Sequence, residues 1–290
     1  MRAGIVLLPV LWLGGTAGEE SSHAARGPHA TRPLAYDEPA LRGGTRRVVV
    51  RGALPDVEAA PWVLIASRAQ AAAGRYEALA QHVASHGCAA FAAARAEGAP
   101  EPWLRYADAV GAALWQLRAE CGVPESPLHA RIDPFRLVLI ADGEGAAAAA
   151  RVAAELPSLR GIVLIDPPVH GPALGWIAGV RAPLLAIATS EGRAERAAAW
   201  FNASGAEPGR RWLVEFEIDE ARAAAPAAPD SVLESDLRGL VTAFLDVQFN
   251  LGAGVAPPFE ELAQEGRIDR RVHGAAGALA AGRRERSLQR

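Results

Sequence analysis

Short apolar runs alternate with longer amphipathic stretches from residue 46 to about residue 250. Most of the runs have the length of a strand and are continuously apolar, which is typical of strands buried on both faces. The predicted strands are 47–52, 62–67, 88–93, 137–141, 161–166, 184–189 and 212–217. The stretches between them predict helices at 74–86, 105–121, 144–156, 193–201 and 231–251. This alternation predicts an α/β fold with a mostly parallel central sheet and helices on both faces.

The first residues are typical of a secretory signal. Arg2 precedes the apolar run 5–13, and the small residues 14–18 supply a region suited to signal cleavage. The run is much shorter than the roughly 20 residues that span a bilayer, so stable membrane insertion is not expected. An uncleaved anchor and an ordinary buried strand are the alternatives. We therefore expect residues 1–18 to be a signal peptide and the protein to be exported, to the periplasm or the extracellular space.

Two further segments flank the regular pattern. Residues 19–45 show no apolar period and predict a linker or an extended N-terminal segment. Residues 251–290 form an arginine-rich tail that we expect to be partly disordered. After residue 266 the tail contains seven Arg but only one Asp and one Glu. The domain is therefore expected over residues 46–250.

The amino-acid composition argues against several classes of function. The formal net charge is -3 and the isoelectric point is near 6.2, so no nucleic-acid partner is expected. All 30 basic residues are arginines, which excludes a lysine nucleophile or Schiff base. The only cysteines are Cys88 and Cys121, and the sequence is compatible with a disulfide or with two free thiols. No metal or cofactor motif is present, and the oligomeric state stays open.

Four segments resemble parts of one group of α/β-hydrolases. PWVLIAS from Pro61, followed by YEALAQHVASHG from Tyr76, resembles that group's first core strand and the next helix. SPLHARIDPFRLVLIADGEGAAAAA from Ser126 resembles the segment around its catalytic serine, and GIVLIDPPVHG from Gly161 resembles a strand end of chlorophyllases. The group comprises chlorophyllases, cutinase-like polyester hydrolases and dienelactone hydrolases, and the similarity covers about residues 46–250. The resemblance implies an α/β-hydrolase fold and carboxylic-ester hydrolysis.

The position that the resemblance gives to the nucleophile is Gly143. A nucleophile elbow turns sharply from strand to helix and needs small residues two before and two after the nucleophile. Ala141 and Gly145 meet this requirement around Gly143. A shift that made Asp142 the nucleophile would place isoleucine and glutamate at the small positions, which sterics reject. Glycine also tolerates the positive φ of an elbow.

The remaining parts of the hydrolase centre are altered as well. The glycine-rich oxyanion loop of the group corresponds to a stretch that begins with Ser67 and Arg68. The second oxyanion donor would be the N–H of Glu144, whose carboxylate repels a developing oxyanion. The position of the general base corresponds to Arg222 or a neighbour, and arginine does not accept a proton at neutral pH. The position of the acid corresponds to Asp166, for which a structural role in its turn is the preferred interpretation.

Other residues are candidates for a metal site or for a displaced catalytic group. His82 and His86 have the i, i+4 spacing of zinc ligands, but nothing accompanies them to complete a metal site, and we place them at the polar edge of their helix. Ser190 or Ser67, combined with His170, offers a displaced nucleophile and base. Leu174, Trp176 and Ile177, in the loop predicted at 169–179, are expected either to line an apolar pocket or to pack on the sheet.

The sequence thus predicts an exported α/β-hydrolase-fold protein with a degenerate catalytic centre. Whether it is an enzyme stays open at this point. The leading hypothesis is a non-catalytic protein that holds an apolar or ester-bearing small molecule, or a partner, in a pocket at the ends of the strands. The alternative is an active esterase or lipase-like hydrolase that uses the relocated residues. A third hypothesis is a structural protein without a ligand.

Overall fold

The computed structural model describes residues 25–36, 48–66, 73–95, 103–168, 171–216, 232–251 and 270–274. Within these residues, nine strands form one sheet: β1 (Thr31–Tyr36), β2 (Val48–Pro55), β3 (Ala60–Ala66), β4 (Ala89–Arg95), β5 (Ile132–Asp142), β6 (Gly161–Ile165), β7 (Leu184–Ala188), β8 (Arg211–Phe216) and β9 (Arg270–Gly274). Their order across the sheet is β1-β2-β4-β3-β5-β6-β7-β8-β9.

Six neighbouring strands of the sheet are parallel. They are β3 to β8, which pair in the order β4-β3-β5-β6-β7-β8. The outer strands run the other way relative to their neighbours, because β1 pairs antiparallel with β2, β2 with β4, and β9 with β8. The fold is therefore of the α/β class with a mostly parallel sheet, as the alternating pattern predicts.

Helices cover both faces of the sheet. They are α1 (Ala73–Ser85), α2 (Trp103–Glu120), α3 (Gly145–Ala154), α4 (Gly171–Ile177), α5 (Glu191–Ala203) and α6 (Val232–Phe249). Alternate side chains of each strand point to opposite faces. In β5, Leu137, Leu139 and Ala141 join the core under α2, α3 and α4, whereas Val138 and Ile140 join the core under α1 and α6. Two apolar layers therefore enclose the sheet.

Each predicted strand and helix between residues 46 and 251 has a counterpart in the structure, with ends that differ by a few residues. Three of the strands and α-helices were not predicted. β1 lies in the segment expected to be a linker or an extended N-terminal segment, β9 lies in the arginine-rich tail, and α4 replaces the loop expected at 169–179. β1 and β9 are the short edge strands of the sheet. They are held by backbone hydrogen bonds to one neighbouring strand, and their sequences show no apolar period that would predict a strand.

The two edges of the parallel strands differ. We call the edge where β3 to β8 begin the N-terminal edge, and the edge where they end the C-terminal edge. Each helix that connects two parallel strands starts at the C-terminal edge and returns to the N-terminal edge. The turns after β5, β6 and β7 therefore lie side by side at the C-terminal edge, where open α/β sheets bind ligands. No helix within the described ranges is both long and apolar enough to cross a membrane.

Candidate functional site

The turn after β5 is an elbow in which Gly143 has a positive φ of 54°. Its N–H donates to the carbonyl of Ile165 at the end of β6, at 2.9 Å, and its carbonyl accepts from the N–H of Ala146 at 3.0 Å. These bonds fix Gly143 between the end of the strand and the first turn of α3. The left-handed conformation is the one that glycine adopts without steric cost.

Close packing of backbones explains the small residues that flank the elbow. A Cβ atom on Gly145 would overlap the carbonyl oxygen of Ala66, the last residue of β3. Ala141 is fully buried and lies opposite Ala66 in the pairing of β3 with β5. Both flanking positions therefore need small residues, as predicted for an elbow centred on Gly143.

The residue before the elbow takes part in a buried polar contact. Asp142, only 6% exposed, accepts a hydrogen bond on Oδ2 from the hydroxyl of Tyr76, which belongs to α1 and is 2% exposed. Burial of a carboxylate is costly unless hydrogen bonds satisfy it. The sequence places Tyr76 on the buried stripe of α1, but no local signal shows that its hydroxyl meets Asp142.

Glu144 is exposed and forms the N-cap of α3, where its side chain makes no capping hydrogen bond. Its backbone is helical, with φ of -60° and ψ of -23°. A carboxylate at this place interacts favourably with the N-terminal end of the helix dipole. Its exposure leaves the side chain free to turn away from the elbow, so the repulsion expected for an oxyanion depends on its rotamer.

Asp166, the residue that corresponds to the acid, is held in a buried network at the end of β6. It is 6% exposed and has a positive φ of 47°. Its carboxylate accepts from the backbone N–H of Thr189 at 2.7 Å and from the hydroxyl of Thr189 at 2.5 Å. The guanidinium of Arg193, on α5, forms an ion pair with the same carboxylate. This network ties the turn after β6 to the turn after β7.

Neither Thr189 nor Arg193 was identified from the sequence. Thr189 follows β7 directly, and Arg193 lies four residues later on α5. Because β6 and β7 are parallel neighbours, the residues after them meet at the same edge. The sequence does show a polar residue after each of the strands β6 and β7. To infer from this that the two residues meet, one has to know that the strands are neighbours in the sheet, and the sequence does not give the strand order.

Ser190 is the only one of the relocated candidates within the described ranges. It is the N-cap residue of α5, partly exposed and extended in backbone conformation, and its hydroxyl makes no capping hydrogen bond. Ser67, Arg68, His170 and Arg222 lie outside the described residues. Their predicted roles as oxyanion loop, relocated base and altered base position therefore remain predictions.

His82 lies near the end of α1 and His86 lies directly after it. The rings of His82 and His86 lie 4.8 Å apart, and Nε2 of His86 donates to the carbonyl of Ala25 at 2.9 Å. His82 is buried at 8% exposure, so the expected position at the polar edge of the helix is wrong for this residue. No group of three metal-binding side chains is found in the described parts of the chain.

The two thiols are free. Cys88 lies directly before β4 and is fully buried, and burial raises the pKa of its thiol strongly. Cys121 follows α2, and burial raises the pKa of its thiol to about 11. Both groups are protonated near neutral pH, which makes them poor nucleophiles. Of the two states that the sequence allows, the structure has the one with two free thiols.

The apolar residues of α4 pack on the core. Ile177 is fully buried, and Leu174 and Trp176 are partly buried against the same apolar layer. Of the two roles expected for these residues, packing is the one seen in these contacts.

Taken together, the described residues at the C-terminal edge supply a carboxylate held by a tyrosine, a carboxylate held by a threonine and an arginine, and an elbow without a side chain. Gly143, at the centre of the elbow, has no hydroxyl or thiol of its own. A comparison with protein-family models finds no match, and a comparison with curated proteins finds none with significant similarity.

Proposed function

We propose that the chain is an exported α/β-hydrolase-fold protein that no longer hydrolyses esters. In this proposal it binds an apolar or ester-bearing small molecule at the C-terminal edge of its sheet. The elbow at Gly143 is the observation that carries the proposal, because it combines the backbone of a nucleophile elbow with the absence of a nucleophile.

Two features support the fold. The first eight strands follow the order β1-β2-β4-β3-β5-β6-β7-β8, with β2 antiparallel, which is the strand order of α/β-hydrolases. The turn between β5 and α3 has the sterics of a nucleophile elbow, including the close approach of Gly145 to Ala66.

Three positions support the proposed loss of hydrolysis. Gly143 has no hydroxyl to attack a carbonyl carbon. Arg222 corresponds to the general base and holds its proton at neutral pH. The carboxylate of Asp166 is engaged by Thr189 and Arg193, so it is not free to orient a histidine. Removing the nucleophile alone from a serine hydrolase lowers turnover by about a million-fold.

The proposed ligand site follows from topology. Ligands of open α/β sheets bind beyond the carboxyl ends of the strands, which here include the elbow and the network of Asp166. The resemblance to ester hydrolases suggests a molecule with an ester and an apolar chain.

The first experiment compares the hydrolysis of short p-nitrophenyl esters by the natural sequence and by the double variant Gly143→Ser, Arg222→His. We expect background turnover from the natural sequence and a small gain from the double variant. Gly209→Ser is the matched control, because it adds a serine at an exposed site with no neighbour within 4 Å of the new Cβ atom. Turnover by the natural sequence well above buffer would contradict the loss of catalysis.

The second experiment tests ligand binding directly. Titration calorimetry with a series of apolar esters is expected to show saturable binding by the natural sequence. If no ester in the series binds saturably, the binding part of the proposal is wrong and the third hypothesis, a structural protein, gains support.

An active esterase with relocated residues is the second candidate. One observation favours it: the hydroxyl of Ser190, at the C-terminal edge, is not used to cap α5. Labelling of one serine by a fluorophosphonate, lost in Ser190→Ala and retained in Ser126→Ala, would establish this candidate over the first.

A further inference from the structure

Arg193 brings a positive charge to the C-terminal edge of the sheet, close to the elbow. It forms an ion pair with Asp166, which directly follows Ile165, and the carbonyl of Ile165 accepts from the N–H of Gly143 at 2.9 Å. The side chain of Asp166 is 3% exposed, whereas that of Arg193 is 39% exposed. The ion pair therefore joins a carboxylate inside the protein to a guanidinium that reaches solvent beside the proposed ligand site.

Only one nitrogen of this guanidinium is used by the described residues. Nη1 donates to Oδ2 of Asp166 and to the hydroxyl of Thr189, the latter at 3.3 Å. Nε and Nη2 donate to no residue within the described ranges. These two nitrogens form the edge of a guanidinium that pairs with a carboxylate through two parallel N–H···O bonds. An edge suited to a second carboxylate is therefore not used by the described part of the chain.

The carboxylate of Asp166 fixes the position of the arginine. Its Oδ1 accepts from the N–H of Thr189 at 2.7 Å, and its Oδ2 accepts from the hydroxyl of Thr189 at 2.5 Å and from Nη1 of Arg193. An arginine already held at one nitrogen loses little further conformational entropy when it binds an anion. Helix stability does not explain this arginine, because it is the third residue of α5 and the helix dipole disfavours a cation in the first turn.

The other carboxylates at the C-terminal edge restrict the kind of anion that Arg193 can bind. Asp142 is on the face of α1 and α6, whereas α5 covers the other face of the sheet. Glu144, exposed at the N-cap of α3, and Glu215, near the end of β8, are on the face of α5. Glu195 lies two residues along α5 and does not share a side of the helix with Arg193. The described charges of this edge are therefore not positive in sum, so direct hydrogen bonds have to hold an anion, and a second negative charge on it would be repelled.

We propose that Arg193 binds the carboxylate of an aliphatic monocarboxylic acid whose chain occupies the ligand site at the C-terminal edge. This inference rests on the proposed function and narrows its ligand to the free acid, which is the molecule that hydrolysis of an ester releases. Two N–H···O bonds from Nε and Nη2 hold the head group. An ester of the same acid is neutral and accepts weaker hydrogen bonds, so it binds less tightly. A phosphate head group with two charges is disfavoured by the carboxylates around it.

The test is titration calorimetry of the full chain with octanoate and with methyl octanoate, which differ in charge but carry the same apolar chain. We expect octanoate to bind at least about tenfold more tightly, as charge-assisted hydrogen bonds would produce. Acetate is expected to show no saturable binding, because it lacks the chain that supplies the apolar contact. Octyl phosphate is expected to bind more weakly than octanoate.

The conservative variant Arg193→Lys tests the assigned residue. Lysine keeps the charge and can still reach Asp166, but it lacks the planar fork that binds a carboxylate through two bonds. The ratio of the octanoate affinity to the methyl octanoate affinity is expected to fall about tenfold. Arg196→Lys makes the same change three residues later, at an exposed position of α5, and is expected to keep the ratio of the natural sequence. Glu144→Gln removes a nearby negative charge and is expected to strengthen octanoate binding about twofold.

The outcomes separate this inference from the proposed function. Equal binding of octanoate and methyl octanoate would overturn the role of Arg193 and leave the proposed ligand site standing. If neither molecule binds, the binding part of the proposed function fails and this inference fails with it. An unchanged affinity ratio in Arg193→Lys would show that another group holds the carboxylate, and tighter binding of octyl phosphate would overturn the preference for a monocarboxylate. Thermal unfolding verifies that each variant is folded, and the selectivity of the natural sequence together with Glu144→Gln carries the test if Arg193→Lys is not.

Discussion

Gly143 and Gly145 lie two residues apart in the same turn but lack a side chain for different physical reasons. Gly143 has a positive φ, so a side chain there would be strained by its own backbone. At Gly145 the restriction is steric, because a Cβ atom added there would overlap the carbonyl of Ala66. A serine at position 143 would therefore carry a conformational strain of about 1–2 kcal/mol, which glycine avoids. In an active hydrolase the same strain is present at the nucleophile.

The overlap at position 145 predicts a strong effect of a single methyl group. Gly145→Ala is expected to lower the free energy of unfolding by about 2–4 kcal/mol, because the backbone of β3 has to move. Gly175→Ala is the control: it lies in α4, with nothing within 4 Å of the new Cβ atom, and is expected to be neutral or stabilising by up to about 1 kcal/mol. Urea denaturation measures both. Equal stability of the two variants would show that β3 and α3 do not approach this closely.

Alkylation of Cys121 tests the raised pKa. With the pKa near 11, the thiolate is scarce at pH 8, and iodoacetamide is expected to react roughly a hundredfold more slowly than with an unfolded cysteine. The rate should rise about tenfold per pH unit up to pH 11. Cys88 should react only after unfolding. Fast modification of the folded chain at pH 8 would contradict this environment.

The same shift has a consequence for stability. The folded chain keeps a proton that the unfolded chain releases, so the stability linked to Cys121 is fully present below pH 9. It is then lost as the pH rises through about 11.

At the scale of elements, arginines bind carbonyl groups where helices end. The guanidinium of Arg136 donates to the carbonyl of Phe249, the last residue of α6, and that of Arg211 donates to the carbonyl of Phe201 near the end of α5 at 3.2 Å. The same two side chains lie over the rings of Phe249 and Phe201. The last carbonyls of a helix have no partner within the helix and carry partial negative charge, which a cation stabilises.

Arg136→Ala is therefore expected to lower the free energy of unfolding by about 1–3 kcal/mol. It removes the hydrogen bond to Phe249 and the contact with its ring. Arg160→Ala removes an exposed arginine from the start of β6, at the same edge, and is expected to change stability by less than about 0.5 kcal/mol. If the two variants unfold alike in urea, the arginines at this edge act through general charge and not through helix ends.

At the scale of the whole molecule, the sequence predicts the apolar framework and misses what depends on contacts between distant segments. The strands β3, β6 and β7 are buried along their whole length, and this is why their apolar runs predict them well. The elbow at Gly143 is also local, since its sterics involve consecutive residues. The contacts of Asp142 with Tyr76 and of Asp166 with Arg193 join residues 66 and 27 positions apart, and no periodicity predicts them.

The structure of residues 25–36 also depends on contacts with distant residues, so the local sequence does not predict it. The N–H of Gly27 donates to the hydroxyl of Ser85 at 2.9 Å, and that of His29 donates to the Ser85 carbonyl at 3.0 Å. β1 then pairs with β2 along six residues and protects that edge of the sheet. A segment of polar sequence is thus part of the folded domain.

Deletion of residues 1–36 is consequently expected to be far more damaging than deletion of residues 1–18. The shorter deletion removes only the predicted signal and should leave the melting temperature unchanged. The longer deletion removes the hydrogen bonds of Gly27 and His29 to Ser85 and the six residue pairings of β1 with β2. It also exposes the edge of β2 to pairing with other molecules. We expect a fall of about 10 °C or more and aggregation on heating, since each kcal/mol corresponds to about 2–4 °C at this size. Melting temperatures that agree for the two truncated chains would show that β1 adds nothing to the stability of the domain.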